Sequence, residues 1–159
     1  MSTIIRMSET SPIPIILCGK TEFIGERVIG ALKPEIEVVQ FILPGDSGQV
    51  IIPALLAGNS PPSHPDSSAI GSGNYNNAPR AVVLGGAFEE SDIATLRDAV
   101  KTVNGARGVA WLRQDTTQPA PPVTSPEYPK LMTRRTKEAV IKLNKDGKLD
   151  GTYDGLEWY

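Results

Sequence analysis

Residues 12–32, PIPIILCGKTEFIGERVIGAL, limit the folds open to this chain more than any other stretch. Positions 13–18 are an unbroken apolar run, the pattern of a strand buried on both faces. Gly19 ends it. A helix opens near Thr21 and sets Ile24, Val28, Ile29 and Leu32 on one side at helical spacing. Strand, glycine turn and helix make the first half of a βαβ unit.

The pattern then repeats. Pro34 stops the first helix, because proline cannot continue the hydrogen-bond ladder. Residues 37–43 read as a second strand. In the turn Pro44-Gly45-Asp46-Ser47, Asp46 or Ser47 can cap a helix holding Val50, Ile51, Leu55 and Leu56, which ends at Gly58. Pro53 fits that helix only in its first turn. A third strand over 81–84 ends in Gly85-Gly86. Glu89, Glu90, Ser91 and Asp92 open the next helix with caps and negative charge, and Ile93, Leu96, Val100 and Val103 form its stripe. Residues 108–112 predict a fourth strand, and roughly 130–144 a last helix. The tail to Tyr159 holds a short strand or lies across the surface. Alternation of this kind implies an α/β fold with a mainly parallel sheet of four or five strands between helical layers. Ligands in such sheets sit beyond the carboxyl ends of the strands. That edge gathers Cys18, Gly19, Asp46, Gly85, Gly86, Phe88, Gln114, Asp115 and Thr116.

Two segments break the alternation. Residues 59–79, NSPPSHPDSSAIGSGNYNNAP, offer almost nothing to bury and too little apolar surface to offset their ordering entropy. They read as a long mobile loop with a solvated His64. Residues 115–129 are a second Pro-rich loop, containing Tyr128. Residues 1–11 predict a flexible tail and 12–159 a single domain, for which 159 residues give an adequate core. Lys plus Arg is 16 and Asp plus Glu 18, with no basic block, so nucleic acid is not an expected partner. One cysteine excludes an internal disulfide, and one histidine argues against a metal site. No run is long and apolar enough for a membrane span, and the polar N-terminus lacks a signal-peptide core, which points to a cytoplasmic protein. Trp158 and Tyr159 suggest docking on this domain or on a second copy in a homodimer.

Gly19-Lys20-Thr21 is not a phosphate loop, since the glycine required five residues before the Gly-Lys pair is Pro14. Gly19-x-x-Glu22-x-x-Gly25 instead resembles the NmrA-like, atypical branch of the short-chain dehydrogenase/reductase family, and the resemblance runs to about Gly147. That family opens with a strand, Gly-x-x-Gly-x-x-Gly and a helix. GKTEFIG supplies the outer glycines, with Phe23, Ile24 and Gly25 in the familiar place. The resemblance implies a three-layer Rossmann-like sandwich. It also implies an NAD(P) crevice formed by Gly19, Lys20, Thr21, Phe23, Ile24, Gly25, Gly85 and Gly86, with Asp46 as ribose partner or simple helix cap.

The chain departs from that family at three points. Glu22 replaces the middle glycine, setting bulk and negative charge where a pyrophosphate would pass. Repulsion there would cost on the order of 1–4 kcal/mol. NAD(P) is therefore expected to bind weakly, and Glu22→Gly to strengthen it about tenfold. Tyr128 is followed four residues on by Met132 rather than lysine, so ordinary hydride transfer is not expected. The helix of Lys137 and Glu138 is similar to the branch's own, but no counterpart of the substrate-binding lobe follows. Three readings stand: a crevice holding a nucleotide cofactor weakly or a small metabolite; a cofactor-independent isomerase, cyclase or hydrolyase with Asp115, Glu22 and Tyr128 as acid/base groups; and a non-catalytic dimeric interaction protein. Cys18, beside a helix start, is a further candidate nucleophile.

Overall fold

The computed structural model describes residues 11–159, so the tail expected at 1–11 lies, except for Ser11, outside the described residues. These residues form β1 (Ile13–Cys18), α1 (Glu22–Leu32), β2 (Ile36–Ile42), α2 (Ser47–Leu56), β3 (Ala81–Leu84), α3 (Glu90–Lys101), β4 (Ala110–Arg113), α4 (Glu127–Lys145) and β5 (Leu156–Trp158). The strands make one parallel sheet in the order β2-β1-β3-β4-β5. Helices α1 and α4 pack together, as do α2 and α3, giving a three-layer Rossmann-like sandwich. The chain winds from β1 to β2, then crosses back to place β3 on the other side of β1. The carboxyl ends of β1 and β3 therefore part at a topological switch point, where doubly wound folds bind ligands. Among the described residues no helix is long and apolar enough to cross a membrane.

Alternation along β1 builds both cores. Ile15 and Leu17 join the α1/α4 layer with Val28, Leu32, Met132 and Val140, while Ile16 and Cys18 join the α2/α3 layer with Ile52, Leu55, Ile93 and Leu96. The β1–β2 register slips by one residue: Ile15 pairs with Val38, but Ile16 pairs with Gln40. Without that bulge, positions 38 and 41 would face opposite layers. With it, Phe41 joins Val38 in the α1/α4 layer and is 1% exposed.

Two expectations are corrected. Pro53 lies in the second turn of α2, and the helix continues through it. The missing hydrogen bond is tolerated because Pro53 is buried among Ile51, Ile52, Leu55 and Leu56, so packing outweighs the local defect. Helix α4 begins at Glu127, which places Tyr128 on the helix rather than in a loop. Pro129 is compatible there, since first-turn N–H groups have no intrahelical acceptor. Within residues 59–79, Ser68 and Pro79 are buried.

The segment 68–75 runs along the outer edge of β2, opposite to it in direction. Ile70 accepts from the Phe41 N–H (3.2 Å), and the Ser72 and Gly73 N–H groups donate to Val38 (2.8 Å) and Val39 (3.1 Å). Buried Gln40 completes the seam: its amide donates to the Ser68 and Phe41 carbonyls (both 2.9 Å) and its oxygen accepts from the Tyr75 hydroxyl (2.6 Å). These bonds cover what would otherwise be an open sheet edge.

Candidate functional site

A cavity of about 490 Å³ opens where β1 and β3 part. Gly19, Lys20 and Thr21 with the first turns of α1 form one wall. Gly85, Gly86, Gln114 and Thr116 form the opposite one, and Leu17, Cys18, Phe41 and Tyr159 lie behind. Helix α4 contributes Tyr128, Met132 and Thr136, which share a face at four-residue spacing. The Thr21 hydroxyl caps α1 by accepting from the Ile24 N–H at 3.3 Å. The Gly86 N–H donates to Gln114 Oε1 at 2.9 Å, while the Tyr128 hydroxyl stands 3.5 Å from both side-chain ends of Gln114.

The outer glycines of the turn motif have a cause within the chain. A Cβ on Gly25 would lie 2.6 Å from Phe41 Cε1, and one on Gly19 would lie 3.0 Å from Phe41 Cζ. Phe41, aimed by the bulge, occupies the space that their missing side chains leave. Tyr159 closes the back of the cavity. Its N–H donates to Arg113 O (3.0 Å), its carbonyl accepts from Asp115 N (2.7 Å), and its hydroxyl donates to Leu84 O (2.9 Å). Burial pushes its phenol far above the usual tyrosine range. Burial likewise pushes the Cys18 thiol far up, which removes the thiolate that a nucleophile needs.

The structure brings together Gly19, Lys20, Thr21, Ile24, Gly25, Gly85, Gly86 and Tyr128. Four other candidates lie elsewhere. Phe23 is 65% exposed, with the Arg27 guanidinium 3.5 Å from its ring centre. Glu22 does not line the cavity; its carboxylate accepts from the Ser68 hydroxyl at 2.5 Å. Asp46 stands at the N-cap of α2, without a side-chain bond to the helix backbone, and borders a separate hollow of about 200 Å³. Asp115 faces a surface groove beside Trp158. Sequence reasoning missed Phe41, Met132, Thr136 and Tyr159 as cavity residues. The spacing of 128, 132 and 136 was the signal available for two of them.

Asp115 is bound to its own loop. Its carboxylate accepts from the Thr117 hydroxyl (2.6 Å) and N–H (3.1 Å) and from Gln118 Nε2 (3.3 Å), and these bonds, led by the Thr117 hydroxyl, hold its pKa below the usual aspartate value. The folded-state value lies under the unfolded one. The stabilisation is therefore present above the ordinary aspartate pKa and is lost as pH falls through the folded value. Thr117→Val is expected to raise the Asp115 pKa towards the ordinary value, read from a carboxyl-carbon NMR titration. An unchanged titration would mean that the hydroxyl bond does not set it.

Lys20 is the one charged side chain lining the cavity among the described residues. The tip of the 59–79 segment stands at the end of β2: Ser68 reaches Glu22, and Asp66 Oδ2 lies 3.2 Å from where a Gly45 Cβ would be. In dinucleotide folds the ribose partner comes from that strand end.

No family model matches the sequence, and no solved structure matches it. The chain is similar to kojic acid related protein 6 of Aspergillus oryzae (strain ATCC 42149 / RIB 40). The two are 32% identical over 141 residues, which span 87% of this chain and 82% of that protein.

Proposed function

The chain belongs to the family of that Aspergillus oryzae protein, and from this premise we propose that it binds a small metabolite in the crevice between the ends of β1 and β3. The cavity of about 490 Å³ at the switch point carries the reading. Ligand pockets span roughly 300–1,000 Å³, with mainly apolar walls and a few convergent polar groups. Here Leu17, Ile24, Val28, Phe41 and Met132 supply the apolar walls, and Lys20, Gln114, Tyr128 and Thr136 supply the polar groups.

NAD(P) is held weakly in this reading. The segment tip stands at the end of β2, where a dinucleotide would seek its ribose partner. Descent from the NmrA-like short-chain dehydrogenase/reductases rests on the first strand, turn and helix. The packing of Gly19 and Gly25 on Phe41 supports the shared fold rather than a retained cofactor. The relative's name relates it to kojic acid, and a small oxygenated ring compound suits this cavity better than a dinucleotide. A cofactor-independent enzyme would have to work through Tyr128, since Asp115 and Glu22 lie outside the cavity. A homodimer draws support from Trp158, which is 59% exposed beside Arg113.

Thermal shift with NAD(H), NADP(H), kojic acid and a panel of small ring compounds tests the proposal. A fitting ligand at ten times its Kd should raise Tm by about 3 °C. Dinucleotides at the same concentration should give well under half of that. Tight dinucleotide binding with no response to small compounds would overturn the reading.

A further inference from the structure

The geometry points to a narrower ligand class for this crevice: a small ring compound bearing one ionised oxygen acid, bound with the anion at the 19–23 turn and a neutral oxygen acceptor at Thr136. The inference rests on the small-metabolite reading above and assigns the ligand's charge and orientation.

The turn is built for an anion. Lys20 is the one residue with a charged side chain on the cavity wall among the described residues. The wall also includes the start of α1, an eleven-residue helix whose N-terminus carries positive partial charge. The Thr21 hydroxyl takes the Ile24 N–H and the Thr21 carbonyl takes the Gly25 N–H. The N–H groups of Lys20, Thr21, Glu22 and Phe23 have no acceptor among the described residues. Glu22, two residues on from Lys20, is engaged by the Ser68 hydroxyl and does not line the cavity.

An independent observation lies on the facing helix. Thr136 is 1% exposed and lines the cavity, and its hydroxyl has no partner among the described residues. A hydroxyl without a protein partner on a cavity wall is free to bond a ligand or water oxygen. Two helical turns away, the Tyr128 hydroxyl has only Gln114 at 3.5 Å, too long for a full bond. Two donors on α4 thus stand on the same cavity as the cationic turn. Phe41 and Met132 lie among the residues around them and supply apolar surface for a ring.

A matched pair of probes tests this on the full chain: 4-acetylbenzoate and its methyl ester, which share the ring and ketone but differ in charge. Isothermal titration should show the acid binding about tenfold tighter than the ester, with the advantage shrinking as salt is added. Lys20→Met should remove the advantage of acid over ester, and Lys20→Arg should keep it. Thr136→Val, close in shape, should weaken acid and ester alike by about fivefold with the melting curve retained. Equal binding of acid and ester, insensitive to Lys20→Met, would overturn the anion assignment and leave the small-metabolite reading standing. An unchanged affinity in Thr136→Val would overturn the orientation. If neither probe binds at about 10 mM, both the inference and the reading beneath it fall.

Discussion

Phe41→Ala is expected to cost about 3–5 kcal/mol of folding stability, the range for deleting a buried aromatic ring. The ring is 1% exposed and stands against Gly19 and Gly25, so neither glycine has a side chain with which to fill the vacancy. The reverse substitution tests the same contact. Gly25→Ala sets a methyl group 2.6 Å from Phe41 Cε1, within a packed layer, and should cost about 1–3 kcal/mol through overpacking. In a Phe41→Leu background the Gly25→Ala penalty should shrink, since the smaller side chain makes room. Urea denaturation of the four proteins gives the coupling energy. Additivity within about 0.5 kcal/mol would mean that the residues do not interact. The glycine would then need another explanation, such as close approach of a ligand, and the dinucleotide reading would gain ground.

Gly71→Val should release the segment that covers β2. Gly71 has φ +117°, and a Cβ there would meet the Val39 carbonyl oxygen at 2.8 Å and the Gln40 backbone nitrogen at 3.0 Å. Only glycine lets the two backbones come so close. The expected cost is about 2–4 kcal/mol, combining backbone strain with the loss of partners for buried Gln40. In the wild type, limited proteolysis should cut residues 59–67 first and spare 68–75, whose hydrogen bonds to β2 must break before cleavage. In Gly71→Val both parts should be cut. The freed sheet edge should also promote aggregation. Because the tip stands at the end of β2, dinucleotide affinity should rise in this variant. In Glu22→Gly it should barely change, contrary to the tenfold gain that the sequence motif implies, since Glu22 already points to Ser68. Equal cleavage of 59–67 and 68–75 in the wild type would show that the segment is not seated.

Local chemistry set much of this architecture. The apolar run at 13–18, the Gly19 turn and the 3.6-residue stripe of α1 required a strand, a turn and a helix, because each signal depends on residues a few positions apart. Repetition of that unit made a parallel sheet and placed its ligand edge, and Gly19, Gly85, Gln114 and Thr116 do line the cavity there. Cap residues were legible for the same reason: Asp92 accepts from the Glu89 N–H at 2.9 Å, as the acidic start of α3 suggested.

What remained depended on partners far apart in the chain. The position of β3 beyond β1, rather than beyond β2, follows from how whole layers pack. The one-residue bulge that turns Phe41 towards Gly25 leaves no mark in periodicity. Glu22 has the place of a fingerprint glycine in the motif, yet its neighbour is Ser68, 46 positions away. Tyr159 reached the cavity only because β5 pairs with β4. The composition of residues 59–79 indicated correctly that few side chains there are suited to burial. It could not show that backbone groups, which every residue carries, would find the unpaired edge of β2 and supply what the side chains lack.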